Sequence, residues 1–542
     1  MGTLFAGGAV FDGHRHLPGH GVLVEDERVV GVLTPADLDT LDPHDHDVVD
    51  LAGGLVSPGF TDAHCHPIQG GLERLQCDLT EGATREDYLG LVRDYAGRCD
   101  ADWITGGGWQ MAAFPGGTPS AADLDAVVPD RPVFLPNRDH HGAWVNSRAL
   151  ELAGITAETT NPPDGRIERL PDGRPQGTLH EGAMDLVAKL LPLPEPSEYA
   201  AGLLEGQRYL FSLGVTAWQD AIVGAYAGMA DTGSTYRDAI ESGDLVADVV
   251  GALWWDRELG RAQVPDLVER RRTQSGGRFR ATSVKIMQDG VCENFTAAML
   301  SPYLDGHGHA TGNAGHSFVE AEELKEAVVA LAAESFQVHV HAIGDRGTRE
   351  ALDAFAAARD TAPGSDLRHH IAHIQVIHPE DVPRFASLGV AANAQALWAC
   401  HEPQMDELTI PFLGEGRTTW QYPFGSLHRA GARLVMGSDW PVSSPDPIAA
   451  IHTAVTRTSY DDPREAFLPE QAVDLTTAFA AYTSGSAWVN GRAPIDGAGV
   501  LAPGHVADLA VLDRDPFGGP VEEIGASTVV SAWVGGRCVH GG

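Results

Sequence analysis

Eight short runs of β-branched or fully apolar residues, each followed by a helix-like stretch, recur between about residues 55 and 440: LVSPGFTDAHCH, GVTAWQD, DVVGALWW, TSVKIMQDG, QVHVHAIGD, HHIAHIQV, GVAANAQ and RLVMGSDW. Strands buried on both faces read as continuous apolar runs. Their alternation with amphipathic segments such as EAEELKEAVVALAAES is the pattern of an α/β protein built as a parallel βα barrel. A doubly wound open sheet is the competing arrangement, but it needs a glycine-rich phosphate loop after its first strand. Neither GxGxxG nor GxxxxGK[ST] occurs.

The first 50 or so residues and the last 50 or so read differently, as short strands between Gly and Asp turns. Residues 1–55 and 490–542 are therefore expected to pair into one small β domain, with the barrel over 56–489. Between the first and second runs, an excursion from about residue 70 to about residue 200 is too long for a crossover helix. It is expected to be an insertion that covers the substrate.

Charge narrows the partners. With 37 Lys and Arg against 75 Asp and Glu, the formal charge of -38 repels nucleic-acid phosphates and anionic membranes. A well-solvated surface, a high-salt setting or a cationic substrate would each suit such acidity. A small-molecule substrate is the expected partner, and a homo-oligomer stays open. The six cysteines form no CxxC pair, which argues against a disulfide framework or a cysteine zinc knuckle and fits a reducing cytoplasm. No signal-peptide pattern opens the chain, and no uninterrupted apolar stretch approaches about 18 residues. A soluble cytoplasmic protein is expected.

In parallel barrels the chemistry sits at the C-terminal ends of the strands, where the polar residues of these runs fall. His64 and His66 stand at i and i+2, so strand alternation points both imidazoles to one side, where they can chelate one ion. Cys65 points the other way, into packing. Lys285 interrupts the apolar strand SVKIM, where an unpartnered ammonium would cost several kcal/mol. It is read either as a neutral amine that takes up CO₂ to form a metal-bridging carbamate, or as one half of a salt bridge with Asp289 or another carboxylate. His341 and His373 lie within strands and supply donors for a second ion. His339 shares a face with His341, which is preferred because it is nearer the strand's C-terminal end, and His369 and His370 are assigned to structure. Asp439 ends the eighth run, placed either to ligate a metal and take a proton from water or to cap the next helix.

The ordered set PGFTDAHCHP, VKIMQDG, HVHAIGDRG, IAHIQVIHPED, GSDWPV and GVLAPGHVADLAVLDRDP, from about residue 50 to about residue 515, resembles the amidohydrolase superfamily. Within it the chain looks like the branch that includes N-substituted formamide deformylases. The resemblance implies a distorted (β/α)8 TIM-like barrel with a composite β-sandwich, and one or two divalent ions, zinc or similar. It also implies that His64, His66 and Asp439 hold the first ion, His341 and His373 the second, and that Lys285 bridges them. RDHHGAWVNSRAL matches the branch's motif and makes His141 a candidate substrate contact. GGGWQ and PQGTLHEGA add Trp109 and Glu181 as candidate pocket residues.

The expected reaction is hydrolysis of a non-peptide C–N bond in a small amide, formamide or cyclic amide. Metal-activated water attacks a carbonyl polarised by the second ion or by His341 or His373, while Asp439 acts as base and then acid. Ester, lactone or carbamate hydrolysis on the same centre stays open. So does a metal-binding barrel without catalysis.

Overall fold

The computed structural model describes residues 2–226, 229–361 and 364–541. Its centre is an eight-stranded parallel sheet whose strands follow one another in chain order. These are β1 (Phe60–Cys65), β2 (Val215–Val223), β3 (Asp248–Trp254), β4 (Phe279–Met287), β5 (Gln337–Ala342), β6 (His370–His373), β7 (Ala391–Ala394) and β8 (Leu434–Met436). Every one of the eight apolar runs supplies one strand. Beyond β8 the backbone closes the circle: Asp439 N–H donates to His64 C=O and His66 N–H to Trp440 C=O, each at 2.7 Å. Gly437 is required at this closure, because a Cβ there would lie 2.6 Å from His64 N.

All residues of β1, β5, β6 and β7 are buried, as expected for strands covered inside and out. Helices supply the outer cover. In Ala321–Ala333 the buried residues Leu324, Ala327, Val328 and Leu331 recur at i, i+3, i+4 and i+7, one apolar stripe facing the barrel. Each large apolar side chain buried this way contributes about 1.5–3 kcal/mol, more than any propensity difference along the helix, so the stripe sets its orientation.

The first run divides between two sheets. Leu55–Pro58 pairs antiparallel with Leu509–Leu512 in a six-stranded sheet, and β1 begins only after Gly59. A second, four-stranded sheet comprises Arg28–Leu33, Gly21–Glu25, Gly2–Ala6 and His46–Asp50. Phe5, Val10, Val22, Val56, Leu509 and Val511 share one apolar cluster, so these two sheets, built from both ends of the chain, pack on a common core. Arg492 ties it to the barrel: its buried guanidinium reaches Asp496 at 2.8 Å, Asp508 at 2.9 Å and Asp248, the first residue of β3, at 3.4 Å.

The long excursion after β1 folds on a sheet of its own. Six strands in the order Gly165–Arg169, Pro175–Glu181, Gly142–Val145, Val133–Pro136, Ile104–Gly107 and Cys77–Asp78 span residues 77–181. Helices Pro67–Leu75 and Pro196–Ser212 bracket them and cross closely, since a Cβ on Gly71 would sit 1.8 Å from Gly202 O. Among the described residues no helix is long and apolar enough to cross a membrane.

Candidate metal centre

His64 is the fifth residue of β1, and His66 follows the strand as the residue that opens helix Pro67–Leu75. Alternation brings their imidazoles to one side, and both Nε2 atoms lie 3.0 Å from the same oxygen, Asp439 Oδ1. Ligand atoms of these three buried residues all fall within 4.8 Å of one another. Asp439 adopts φ +58°, and so turns its carboxylate inward immediately beyond β8. Backbone strain of this kind costs about 1–3 kcal/mol and clusters at working sites. It recurs near the site at His140, Glu181, His373 and Ile374, and also away from it, as at Asp26, Ser335 and Leu468.

The other expected ligands converge less tightly. His373 Nδ1 is 3.8 Å from Asp439 Oδ2, and its ring stacks on Trp398 with centroids 5.5 Å apart. The His341 ring is 4.3 Å from that of His373, but its Nε2 points to Gly290 C=O at 3.3 Å and lies 3.5 Å from Asp289 Oδ1. Lys285 Nζ lies 3.4 Å from His64 Nε2. Among the described residues it has no ion-pair partner, and Asp289 instead accepts N–H bonds from Ile343, Gly344 and Ala298 at 2.8–2.9 Å.

Electrostatics leave His64 and Asp439 in the protonation states a cation needs. Burial pushes His64 down to about 3, helped by Lys285, so it is neutral at pH 7. Burial alone would raise Asp439, but His64 and His66 hold its carboxyl well below the usual range. Burial also lowers Lys285 to about 8, against the pull of Asp439 and Asp220.

Buried polar atoms without a partner are uncommon and call for a reason. Both ring nitrogens of His373 and Nδ1 of His66 are such atoms. Together with the Nε2 atoms of His64 and His66 and their shared carboxylate, the unpartnered His373 nitrogens fit zinc or a similar divalent ion.

Asp62 is not among the site residues expected from the sequence, and His339 and His370 support the centre rather than line the cavity. Asp62 Oδ1 accepts N–H bonds from His64 and Ser438, each at 3.0 Å, and Oδ2 accepts the Ser438 hydroxyl at 2.6 Å, locking the tip of β1 to that of β8. It stands two residues before His64, so the alternation that paired His64 with His66 also marks it. His339, set deeper than His341, meets His64 Nδ1 through its Nε2 at 2.9 Å and fixes that ring's orientation. His370 lies inside β6, and its ring is 4.0 Å from that of His339.

Above the centre opens a cavity of about 630 Å³, lined by His341, His373, Asp439 and, from the insertion, Arg138, Asp139 and His141. His141 Nδ1 lies 2.9–3.0 Å from both oxygens of Glu181, which also accepts the Thr296 hydroxyl at 2.7 Å. Burial on its own would lower His141, but the Glu181 carboxylate overrides it and holds the imidazole at about 9. Trp109 is not on this wall. Its N–H is spent on Leu135 C=O at 2.8 Å, and its ring packs against Phe114 and Trp144 in the core of the insertion.

A parallel barrel with a histidine- and carboxylate-lined cavity at its C-terminal rim defines the class of metal-dependent barrel hydrolases. The chain belongs to the amidohydrolase family, whose model matches residues 47–540. It is accordingly a hydrolase acting on C–N bonds other than peptide bonds. It is 29% identical to Protein LONG AFTER FAR-RED 3 of Arabidopsis thaliana over 99% of this chain and 91% of that protein. It is 28% identical to N-substituted formamide deformylase of Arthrobacter pascens over 96% and 95%. An uncharacterized metal-dependent hydrolase from Pyrococcus furiosus superposes with a TM-score of 0.70 at 25% identity, covering 95% of this chain and all of that one.

Proposed function

We propose that the chain hydrolyses the C–N bond of a small amide, formamide or cyclic amide, using zinc or a similar divalent ion held by His64, His66 and Asp439. The convergence of both Nε2 atoms on Asp439 Oδ1 beneath the cavity is the observation that supports this reading most directly. His341 and His373 are proposed to hold a second ion, with Lys285, as its carbamate, between the two. Carbamate formation joins the neutral Nζ to CO₂ and releases one proton. The lack of an ion-pair partner for Lys285 favours it over a salt bridge.

When bound, the metal would supply Lewis acidity and bring the pKa of water toward about 7. Asp439 Oδ1 faces both histidines, which leaves Oδ2 to accept the proton of the attacking water. The same oxygen returns that proton to the departing nitrogen, so one carboxylate serves as base and then acid. His141, with Nδ1 committed to Glu181, directs Nε2 at the substrate carbonyl, and Glu181 positions it.

The name of the Arthrobacter relative places N-substituted formamides first in a substrate panel. Turnover of formamides or other amides, with esters and lactones slower, supports the proposal. Turnover of esters or lactones alone would shift it to the other leaving group, and metal binding with no turnover of any would overturn it.

A further inference from the structure

Helix Pro67–Leu75 starts at the metal centre, directly after His66, and is fixed there on two sides. A Cβ on Gly70 would lie 2.7 Å from the Trp440 ring, so the helix packs against the residue that follows Asp439. Gly71 seats it as closely on helix Pro196–Ser212. A third face carries Gln69 and Glu73, at i and i+4, and meets the insertion. Gln69 Nε2 donates to Glu73 Oε1 at 3.2 Å and lies 3.0 Å from His140 Nδ1, while His140 Nε2 lies 3.5 Å from Glu73 Oε1. The three side chains close a ring of polar contacts. Burial pushes Glu73 up to about 8 and His140 down to about 3, so near neutral pH uncharged groups hold the ring and salt does little to screen it.

His140 belongs to the tip that joins strands Val133–Pro136 and Gly142–Val145. Asn137 N–H donates to Gly142 C=O at 2.8 Å, Gly142 N–H donates to Asn137 Oδ1 at 2.9 Å, and His141 N–H donates to Asp139 Oδ1 at 2.9 Å. Arg138, Asp139 and His141 of this tip line the cavity over the centre, whereas His140 reaches the helix. Its backbone has φ +61°, a left-handed conformation that glycine adopts without conflict at Cβ. An imidazole there carries a conformational cost that glycine would not, and its contacts with Gln69 and Glu73 offset it.

We propose that His140 is a positioning residue: through Gln69 and Glu73 it fastens the tip to the helix that begins at His66, and so sets His141 over the metal centre. The effect on catalysis rests on the amide reading above; the fastening itself does not.

Hydrogen–deuterium exchange and kinetics of the metal-loaded full chain test it in His140→Gly and Gln69→Ala. Glycine suits φ +61° and alanine suits a helix, so both variants are expected to keep a Tm close to that of the wild type. Gln69→Ala also leaves the sequence of the tip intact. Amides of residues 138–142 are expected to exchange about tenfold faster in each variant, as local opening becomes easier. With the fastest substrate of the panel above, kcat is expected to fall about tenfold at unchanged metal content, since small misplacements at a reacting centre are costly. In a His141→Ala background, His140→Gly is expected to cost nothing further, because it acts through His141. Unchanged exchange or unchanged kcat in the folded variants, or losses from His140→Gly and His141→Ala that multiply, would each overturn the proposal. Faster exchange in variants of a chain that turns over no amide would uphold the fastening and sink the hydrolytic reading, whereas amide turnover with unchanged exchange would do the reverse.

Discussion

Lys285 Nζ lies 3.4 Å from His64 Nε2, the nitrogen that also faces Asp439. Burial lowers this lysine to about 8 against the pull of Asp439 and Asp220, which brings the neutral amine within reach near neutral pH. Replacing it by alanine is expected to lower the content of the second ion and kcat together. Formate or acetate, filling the vacated space, is expected to restore part of the rate. Unchanged metal content and kcat in Lys285→Ala would remove the lysine from the centre.

Asp439→Asn is expected to keep the fold but lose kcat by about 10²–10⁴-fold, the usual contribution of a general acid–base. The amide cannot accept the proton. Near-normal turnover in a variant with its full metal complement would assign proton transfer elsewhere.

Asp62 separates positioning from chemistry. Asp62→Ala strips two N–H groups and one hydroxyl of their acceptor, and is expected to weaken metal affinity about 10–100-fold, as loss of a supporting contact does. Asp62→Asn keeps one acceptor oxygen for both N–H groups, and the Ser438 hydroxyl can rotate to accept from the amide. It should be much the milder change in a chelator-competition assay. Equal losses in the two variants would contradict this hydrogen-bond assignment.

The His141–Glu181 pair predicts a pH dependence of stability. His141 titrates at about 9 in the folded chain against 6.5 as its ordinary value, so its contribution is complete below about 6.5 and is lost as pH rises through 9. Glu181 is lowered from 4.5: burial opposes the shift, and His141 outweighs it. Its contribution is present above about 4.5 and lost as pH falls through the folded value. The full pair, of order 3 kcal/mol at most, therefore acts between about pH 4.5 and 6.5. Thermal scans from pH 6 to 10 should show Tm falling more steeply in the wild type than in Glu181→Gln. Parallel curves would deny the pair this role.

The barrel and the shared facing of His64 and His66 were legible because each rests on a local rule. Buried strands are apolar throughout, and alternation alone aligns His64 with His66. Distant contacts were not legible. The sheet of the insertion joins strands of two to seven residues through long-range pairing, and nothing in GGGWQ separates a core tryptophan such as Trp109 from one on a pocket wall. His339 and His341 share a face, and only the packed barrel shows that His339 backs His64 while His341 lines the cavity. Asp62 was readable by the same alternation, yet its partner Ser438 lies 376 residues away.

Elemental analysis of the purified protein, paired with amide turnover before and after chelation, tests the central claim most directly. One to two equivalents of zinc or a similar divalent ion are expected, with turnover abolished by chelation, restored by adding the metal back, and absent with the metal in His64→Ala. Metal-free protein that retains full activity would contradict the account.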